Sequence, residues 1–86
     1  MLNELIETMA RALVDNPDQV EVSEIEGGMA SAIELRVAKA DLGKVIGKLG
    51  RNVDAMRTFL IVASTKIRKR VILEIIVRKR TEEISN

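Results

Sequence analysis

The stretch that decides the fold is Asp41-Leu42-Gly43-Lys44-Val45-Ile46-Gly47-Lys48-Leu49-Gly50-Arg51-Asn52. A short apolar helix is predicted to run into the segment Gly47–Gly50, and a longer helix is predicted to leave it. Glycines at both ends of this segment permit positive φ and allow another backbone to come close. The second helix would direct its unpaired N–H groups and its partial positive charge at whatever lies over the corner.

Cations surround the same corner. Lys44, Lys48 and Arg51 place full positive charges beside the backbone donors at the predicted start of the second helix. Backbone N–H groups, a helix dipole and cations that converge on a bare loop form an anion site, and phosphate is the usual anion. The corner therefore predicts phosphate binding.

The sequence before the corner predicts one helix and a hairpin. Residues 2–14 carry an amphipathic apolar stripe, which ends at Asp15-Asn16-Pro17-Asp18 because the residue before a proline avoids the α region. Residues 19–26 are predicted to form an irregular edge strand, since Glu24-Ile25 breaks its alternation. A turn at Gly27-Gly28 joins it to a better strand over residues 30–38, which has Ile33, Leu35 and Val37 on one face.

The sequence around and after the corner predicts two helices and a third strand. Asp41 is a plausible N-cap for the short helix, which runs through Ile46 and has Leu49 on its apolar side. The second helix is predicted over residues 52–65, followed by a basic turn and a strand over residues 71–77. The apolar face of this second helix is wider than packing on one side of a sheet requires. Burial is favoured for four of its residues, Val53, Met56, Leu60 and Ala63. Phe59 and Val62 could be buried or could form a dimer surface.

The predicted order of elements is α-β-β-α-α-β. Two helices connect the second strand to the third, so these strands are natural parallel neighbours. Helices on one face of a three-stranded mixed sheet give a two-layer α+β domain. We assign this domain to residues 1–80 and a polar C-terminal tail to residues 81–86.

The segment Val45-Ile46-Gly47-Lys48-Leu49-Gly50-Arg51 resembles the GxxG loop of a KH domain, a module that binds single-stranded nucleic acid. The run from Ile33 to Ile76 resembles the small bacterial proteins that consist of little more than one KH domain. The order of elements is also that of the type II KH fold. The resemblance covers nearly all of the chain and implies a bacterial RNA-binding protein.

Composition excludes most catalytic and metal chemistry. The 86 residues contain no cysteine and no histidine, and the single aromatic residue is Phe59. No histidine base is available to activate a serine, and neither a P-loop nor a dinucleotide-binding fingerprint occurs. We therefore predict that the chain is not an enzyme and needs no cofactor. The N-terminus lacks a signal-type segment and no apolar run approaches the roughly 20 residues of a membrane span, so we expect a cytoplasmic protein.

Charge is distributed unevenly along the chain. Residues 1–35 carry eight carboxylates and one arginine, whereas residues 36–80 carry 13 lysines and arginines and three carboxylates. This asymmetry predicts a basic face for a polyanion. A mixed, solvated surface is the alternative.

For a KH domain, the resemblance implies that Gly47, Lys48, Leu49 and Gly50 hold the phosphates of single-stranded RNA. Lys44 and Arg51 would add charge, and Arg57 would extend the basic track, with Arg36 and the run Lys66–Arg70 as further candidates. Bases would lie over the aliphatic residues Val45, Ile46, Val53, Leu35 and Val37, although Leu35 and Val37 fit a core role better.

The resemblance also implies partners and a cellular role. The chain would associate with itself or pair with a larger KH-containing RNA-binding protein. The role would be that of an RNA chaperone or post-transcriptional regulator linked to cell shape, cell wall biogenesis and division. Two alternatives remain open: a ribosome-associated or protein-pairing scaffold, and binding of single-stranded DNA.

Overall fold

The computed structural model describes residues 2–78 and contains every predicted helix and strand. The elements are α1 (Leu2–Leu13), β1 (Glu21–Gly27), β2 (Ala30–Ala38), α2 (Leu42–Ile46), α3 (Arg51–Ile67) and β3 (Arg70–Arg78). Short 3-10 turns connect them at Pro17–Gln19, Lys39–Asp41 and Lys48–Gly50. The predicted order and the α+β class are confirmed. The polar tail of residues 81–86 lies outside the described residues.

The sheet has the strand order β1-β2-β3. β1 pairs with β2 as an antiparallel hairpin, and β2 pairs with β3 in parallel, so the predicted parallel neighbours are confirmed. The hairpin turn consists of Gly28 and Met29, with Gly27 opposite Ala30. β3 therefore forms one edge of the sheet, and β1 forms the other.

The predicted irregularity of β1 is wrong. Its seven residues pair with β2 in an unbroken register from Glu21 opposite Arg36 to Gly27 opposite Ala30. The backbone of β1 is regular, and only the alternation of apolar and polar side chains breaks, because the two faces of the strand have different surroundings. Side chains alternate between the two faces of a strand, so Ile25 belongs to the face without helices, where its side chain is exposed, and Glu24 belongs to the helix side at the open edge.

The core lies between the sheet and the helices. Ile33, Leu35 and Val37 are fully buried on one face of β2, as their alternation predicts. They pack in one cluster with Ile6 and Ala10 of α1, Val45 of α2, Val53, Met56 and Leu60 of α3 and Leu73 of β3. Each fully buried aliphatic side chain of this size contributes about 1.5–3 kcal/mol relative to exposure. Burial of these residues fixes the helices, and with them the corner between α2 and α3.

α3 is longer than predicted and exposes several of its apolar residues. It ends at Ile67, and Arg68 follows in the left-handed region with φ 57° as its C-cap. Val53, Met56 and Leu60 are buried as predicted, and Ala63 is half-buried. Phe59 and Val62 are 53% and 55% exposed, so the question left open for these two residues is resolved against burial.

Within residues 2–78, no element covers the face of the sheet opposite the helices. Ile72 and Ile25 are exposed on it, and Arg36 pairs there with Glu34 at 3.2 Å. None of the helices within residues 2–78 has the length and the hydropathy to cross a membrane.

Candidate nucleic-acid interface

The corner between α2 and α3 is built from three residues with positive φ. Gly47 ends α2 with φ 80° and ψ 170°, Leu49 follows at φ 58° and ψ 26°, and Gly50 at φ 76° and ψ 14° begins α3 as its N-cap. The Gly47 conformation lies in a region that is essentially restricted to glycine. Both glycines of the motif therefore adopt a positive φ, as the sequence predicts.

Two free backbone donors lie before α3, inside the segment Gly47–Gly50, and not at the predicted start of the helix at residue 52. Gly50 N–H donates to the carbonyl of Gly47 at 3.0 Å, and Arg51 N–H donates to the carbonyl of Lys48. Within residues 2–78, no acceptor pairs with the N–H groups of Lys48 and Leu49. A left-handed residue after a helical one turns successive N–H groups into a concave anion site. The unpaired donors of the corner are thus inside the GxxG segment, and α3 contributes through its dipole.

The cations of the corner are not equivalent. Lys48 and Arg51 are exposed, and neither has an ion-pair partner in the described part of the chain. Lys44 Nζ donates to Asp15 Oδ2 at 2.8 Å, and this hydrogen bond, together with the charge of Asp15, raises the pKa of Lys44. Two cations are therefore unneutralised, and the third already has a carboxylate partner.

Asp41 occupies the N-cap position of α2 as predicted, but its side chain makes no capping hydrogen bond to that helix. Its side chain is 1% exposed and accepts hydrogen bonds of 3.1 Å from the N–H groups of Asp15 and Asn16 and from Asn16 Nδ2. Burial by itself raises the pKa of Asp41, but the hydrogen bonds from Asn16 and Asp15, with Lys44 nearby, lower it below the ordinary value. Asp41 thus ties the loop after α1 to the start of α2. Local spacing cannot reveal this contact, because the partners lie 25 and 26 residues away.

Leu49 is also placed differently from its prediction. It is 81% exposed at the tip of the corner and does not join the apolar side of α2. The left-handed conformation of Leu49 carries its side chain away from the core. A solvent-exposed leucine between two glycines is available to a ligand and adds little to packing.

Most of the predicted base-contacting residues belong to the core. Leu35, Val37 and Val45 are fully buried, and Val53 is 7% exposed. Leu35 and Val37 thus have the core role that the sequence favours for them, and the contact of Val45 and Val53 with bases stays a prediction. Ile46 is half-buried beside the corner.

A groove that the sequence prediction missed runs between α3 and β3. It has a volume of about 500 Å³ and is lined by Arg57, Leu60, Ile61 and Ser64 of α3 and by residues 70–73 of β3. Ile61 is 64% exposed within it. The spacing of Arg57, Ile61 and Ser64, at i, i+4 and i+7, places them on one stripe of a helix and could have revealed this face. Arg57 and Arg70 thus lie together, whereas Arg36 lies on the opposite face of the sheet.

The chain matches the KhpA/KhpB KH-domain model over residues 3–75. Two relatives illustrate the match, and both are named RNA-binding protein KhpA. The protein from Caldanaerobacter subterraneus subsp. tengcongensis is 57% identical over 75 residues, which are 87% of this chain and 100% of the relative. The protein from Aquifex aeolicus is 55% identical over 75 residues, which are 87% of this chain and 95% of the relative.

Solved structures show a similar fold. A part of Aquifex aeolicus Era, in a structure bound to GDP.AlF4-, superimposes on 88% of this chain and 29% of Era with a TM-score of 0.58 and 19% sequence identity. Era in complex with MgGDPNP and nucleotides 1506-1542 of 16S ribosomal RNA gives a TM-score of 0.57 at the same identity. The match to the model covers most of the chain, and the relatives match along almost their whole length. The chain therefore belongs to the KhpA/KhpB KH-domain family.

Proposed function

We propose that the chain binds single-stranded RNA, with phosphates at the corner Gly47–Gly50 and bases along the groove between α3 and β3. The observation that carries the proposal is the pair of unpaired N–H groups at Lys48 and Leu49, on an exposed corner beside two unneutralised cations. A GXXG loop clamps the backbone of about four nucleotides. The names of the relatives favour RNA as the ligand.

The groove suits unpaired bases. Ile61 offers an exposed apolar surface in it, and Arg57 and Arg70 line the same groove. β3 is an edge strand of the described sheet, so its outer N–H and C=O groups face no other strand of residues 2–78 and can pair with the edges of bases. A rise of 1.5 Å per residue puts Arg57 about 9 Å along α3 from Arg51. Because sequence-specific contacts of this kind require unstacked bases, the ligand is a single strand.

The test reverses the charge of the corner. Lys48→Asp with Leu49→Asp should abolish RNA binding, because two carboxylates would face the phosphates and like-charge contacts cost several kcal/mol. Both side chains are exposed, so the change in the free energy of unfolding should stay within about 0.5–1 kcal/mol. The measurements are thermal unfolding and titration with a short single-stranded RNA.

A matched control separates local contact from net charge. Lys39→Asp with Ala40→Asp makes the same change in net charge in the exposed turn before α2. This variant should keep most of its RNA affinity. Equal affinity of both variants and the unaltered chain would contradict the phosphate clamp and favour the alternative in which the KH fold is a ribosome-associated or protein-pairing scaffold. Titration with DNA of the same sequence tests binding of single-stranded DNA.

The proposed protein partner is a second KH domain, in a homodimer or in a pair with a larger KH-containing RNA-binding protein. Phe59 and Val62 support this proposal, since both are more than half exposed. At 100° per residue, they lie on a different side of α3 from Arg57 and Ile61. Association through Phe59 and Val62 would therefore leave the groove open to RNA.

We place this activity in the cytoplasm, without catalysis, as that of an RNA chaperone or post-transcriptional regulator that affects envelope growth and division. The support is the family of the chain. Crosslinking in cells, followed by sequencing of the bound nucleic acid, tests the role. Recovery of transcripts for envelope and division proteins is expected, and recovery of ribosomal RNA alone would favour the ribosome-associated alternative.

A further inference from the structure

Asn52 connects the two helices across the corner. Its Nδ2 donates to the carbonyl oxygen of Lys44 at 2.8 Å. Lys44 belongs to the last turn of α2, where carbonyl groups have no partner inside the helix. α2 has only five residues and cannot persist without outside contacts. The side chain of Asn52 therefore holds the end of α2 against the start of α3.

The same side chain packs against Gly47. A Cβ atom at Gly47 would lie 2.6 Å from Asn52 Cγ and 2.7 Å from Asn52 Nδ2. Asn52 thus occupies the space that any other residue at position 47 would need for its side chain. This contact and the hydrogen bond to Lys44 add a local restraint to the core packing that holds the end of α2 near the first turn of α3.

The corner needs such a restraint. Leu49 holds a left-handed conformation, which costs a residue with a side chain about 1–2 kcal/mol. It is also exposed, so packing of its side chain cannot offset the strain. Residues 48–50 keep their conformation only if the helices on both sides are fixed relative to each other.

We propose that Asn52 is a positioning residue for the phosphate site. It holds the N–H groups of Lys48 and Leu49 in the orientation that an anion requires, and it acts through the backbone without contact to RNA. The inference rests on the proposed function, because it concerns the same corner. It goes beyond that function by assigning a role to a side chain that the GxxG motif does not include.

The size of the effect follows from the hydrogen bond. A typical intramolecular hydrogen bond contributes about 0.5–1.5 kcal/mol net. If this hydrogen bond keeps the corner ordered in the unbound chain, then without it the free energy of ordering the corner is subtracted from the free energy of RNA binding. The affinity of Asn52→Ala for RNA should then fall by about threefold to tenfold.

The control variant is Thr58→Ala. Thr58 is exposed on α3, and its hydroxyl donates to the carbonyl of Asp54 at 2.9 Å. Both variants lose one hydrogen bond from a side chain to the backbone, but the bond of Thr58 lies within one helix. Thr58→Ala should bind RNA as the unaltered chain does. Asn52→Leu, which keeps a branched side chain of similar size without adding charge and removes the donor, replaces Asn52→Ala if the alanine variant does not fold.

Two readouts distinguish positioning from a general loss of stability. The first is the backbone amide NMR signals of Lys48 and Leu49 without RNA, which should move and broaden in Asn52→Ala and not in Thr58→Ala. The second is a double-mutant cycle with Lys48→Ala. The loss of RNA affinity caused by Lys48→Ala should be smaller in the Asn52→Ala background, because Lys48 is already misplaced there. A cycle with Arg70→Ala, in the groove, should be additive.

The outcomes separate the inference from the proposed function. If the unaltered chain binds RNA and Asn52→Ala binds equally well, the positioning role is refuted and the proposed function stands. Weaker binding with additive cycles and unchanged amide signals would also refute it, because Asn52 would then contact RNA directly. If the unaltered chain does not bind RNA, the proposed function fails. The amide signals still decide whether Asn52 orders the corner.

Discussion

Replacing Gly47 by alanine should destabilise the fold more than the same change at either neighbouring glycine. The conformation at Gly47 costs any other residue about 1–3 kcal/mol. The added Cβ atom would also meet Asn52 at 2.6 Å, and such overpacking costs about 1–3 kcal/mol more. We therefore expect the free energy of unfolding to fall by about 2–6 kcal/mol.

The neighbouring glycines are matched controls. At Gly50 the backbone is also left-handed, but the nearest atom to an added Cβ is Asp54 Oδ2 at 4.0 Å, so Gly50→Ala should cost only about 1–2 kcal/mol. At Gly43, which is inside α2, an added Cβ would have no described atom within 4 Å apart from its chain neighbours and the backbone of its own helix. Gly43→Ala should stabilise the fold by about 0.5–1 kcal/mol, because glycine inside a helix loses more entropy on folding.

The assay is thermal unfolding of the four proteins under one set of conditions. For a domain of this size, 1 kcal/mol shifts the Tm by about 4–8 °C. Gly47→Ala should therefore unfold at least about 8 °C below the unaltered chain, and Gly43→Ala should unfold above it. If Gly47→Ala and Gly50→Ala have the same Tm, the close packing of Asn52 on Gly47 does not contribute to the loss in the free energy of unfolding.

Three further predictions concern binding, association and pH. The affinity for single-stranded RNA should fall steeply with salt, with a slope of about −0.7 in log–log form for each phosphate held; a flat dependence over a salt titration would exclude phosphate contacts. Phe59→Glu should shift a dimer to a monomer in sedimentation, whereas an unaltered chain that is monomeric at high concentration would remove the proposed association. The hydrogen bonds that lower the pKa of Asp41 stabilise the fold at pH values above 3.8, which is the ordinary pKa of an aspartate. This contribution should be lost as the pH falls below 3.8. Asp41→Asn should therefore lose less stability in acid than the unaltered chain, and parallel acid-unfolding profiles would contradict this.

The fold could be predicted because each element carries its own local signal. The alternation of Ile33, Leu35 and Val37 predicts the bounds and the buried face of β2, and the helical spacing on either side of the corner predicts the order of elements. The signal weakens where an element is at an edge. Ile25 disturbs the alternation of β1 because one face of the sheet has no covering element within residues 2–78, and a single sequence does not say which face that is.

The site could be predicted only in part, since its motif is local and its surroundings are not. Gly47 and Gly50 predict the corner from local sequence. The contact of Asp41 with Asn16 and the pairing of Lys44 with Asp15 depend on tertiary structure. The pattern of apolar residues around the corner did not separate buried Val45 from exposed Leu49. That difference arises from a single left-handed residue, which propensity does not predict for leucine.

The parallel pairing of β2 with β3 has a consequence for folding kinetics. β1 and β2 meet through a two-residue turn, but β3 reaches β2 only after α2 and α3 have carried the chain across the helical layer. Contacts between distant parts of a chain are slow to form, because the entropy of closing the loop is lost before they stabilise the fold. The corner at Gly47–Gly50 is the point at which this crossover reverses direction. We expect the corner to control the rate at which the sheet is completed, so that refolding of Gly47→Ala is slowed as well as its native state destabilised.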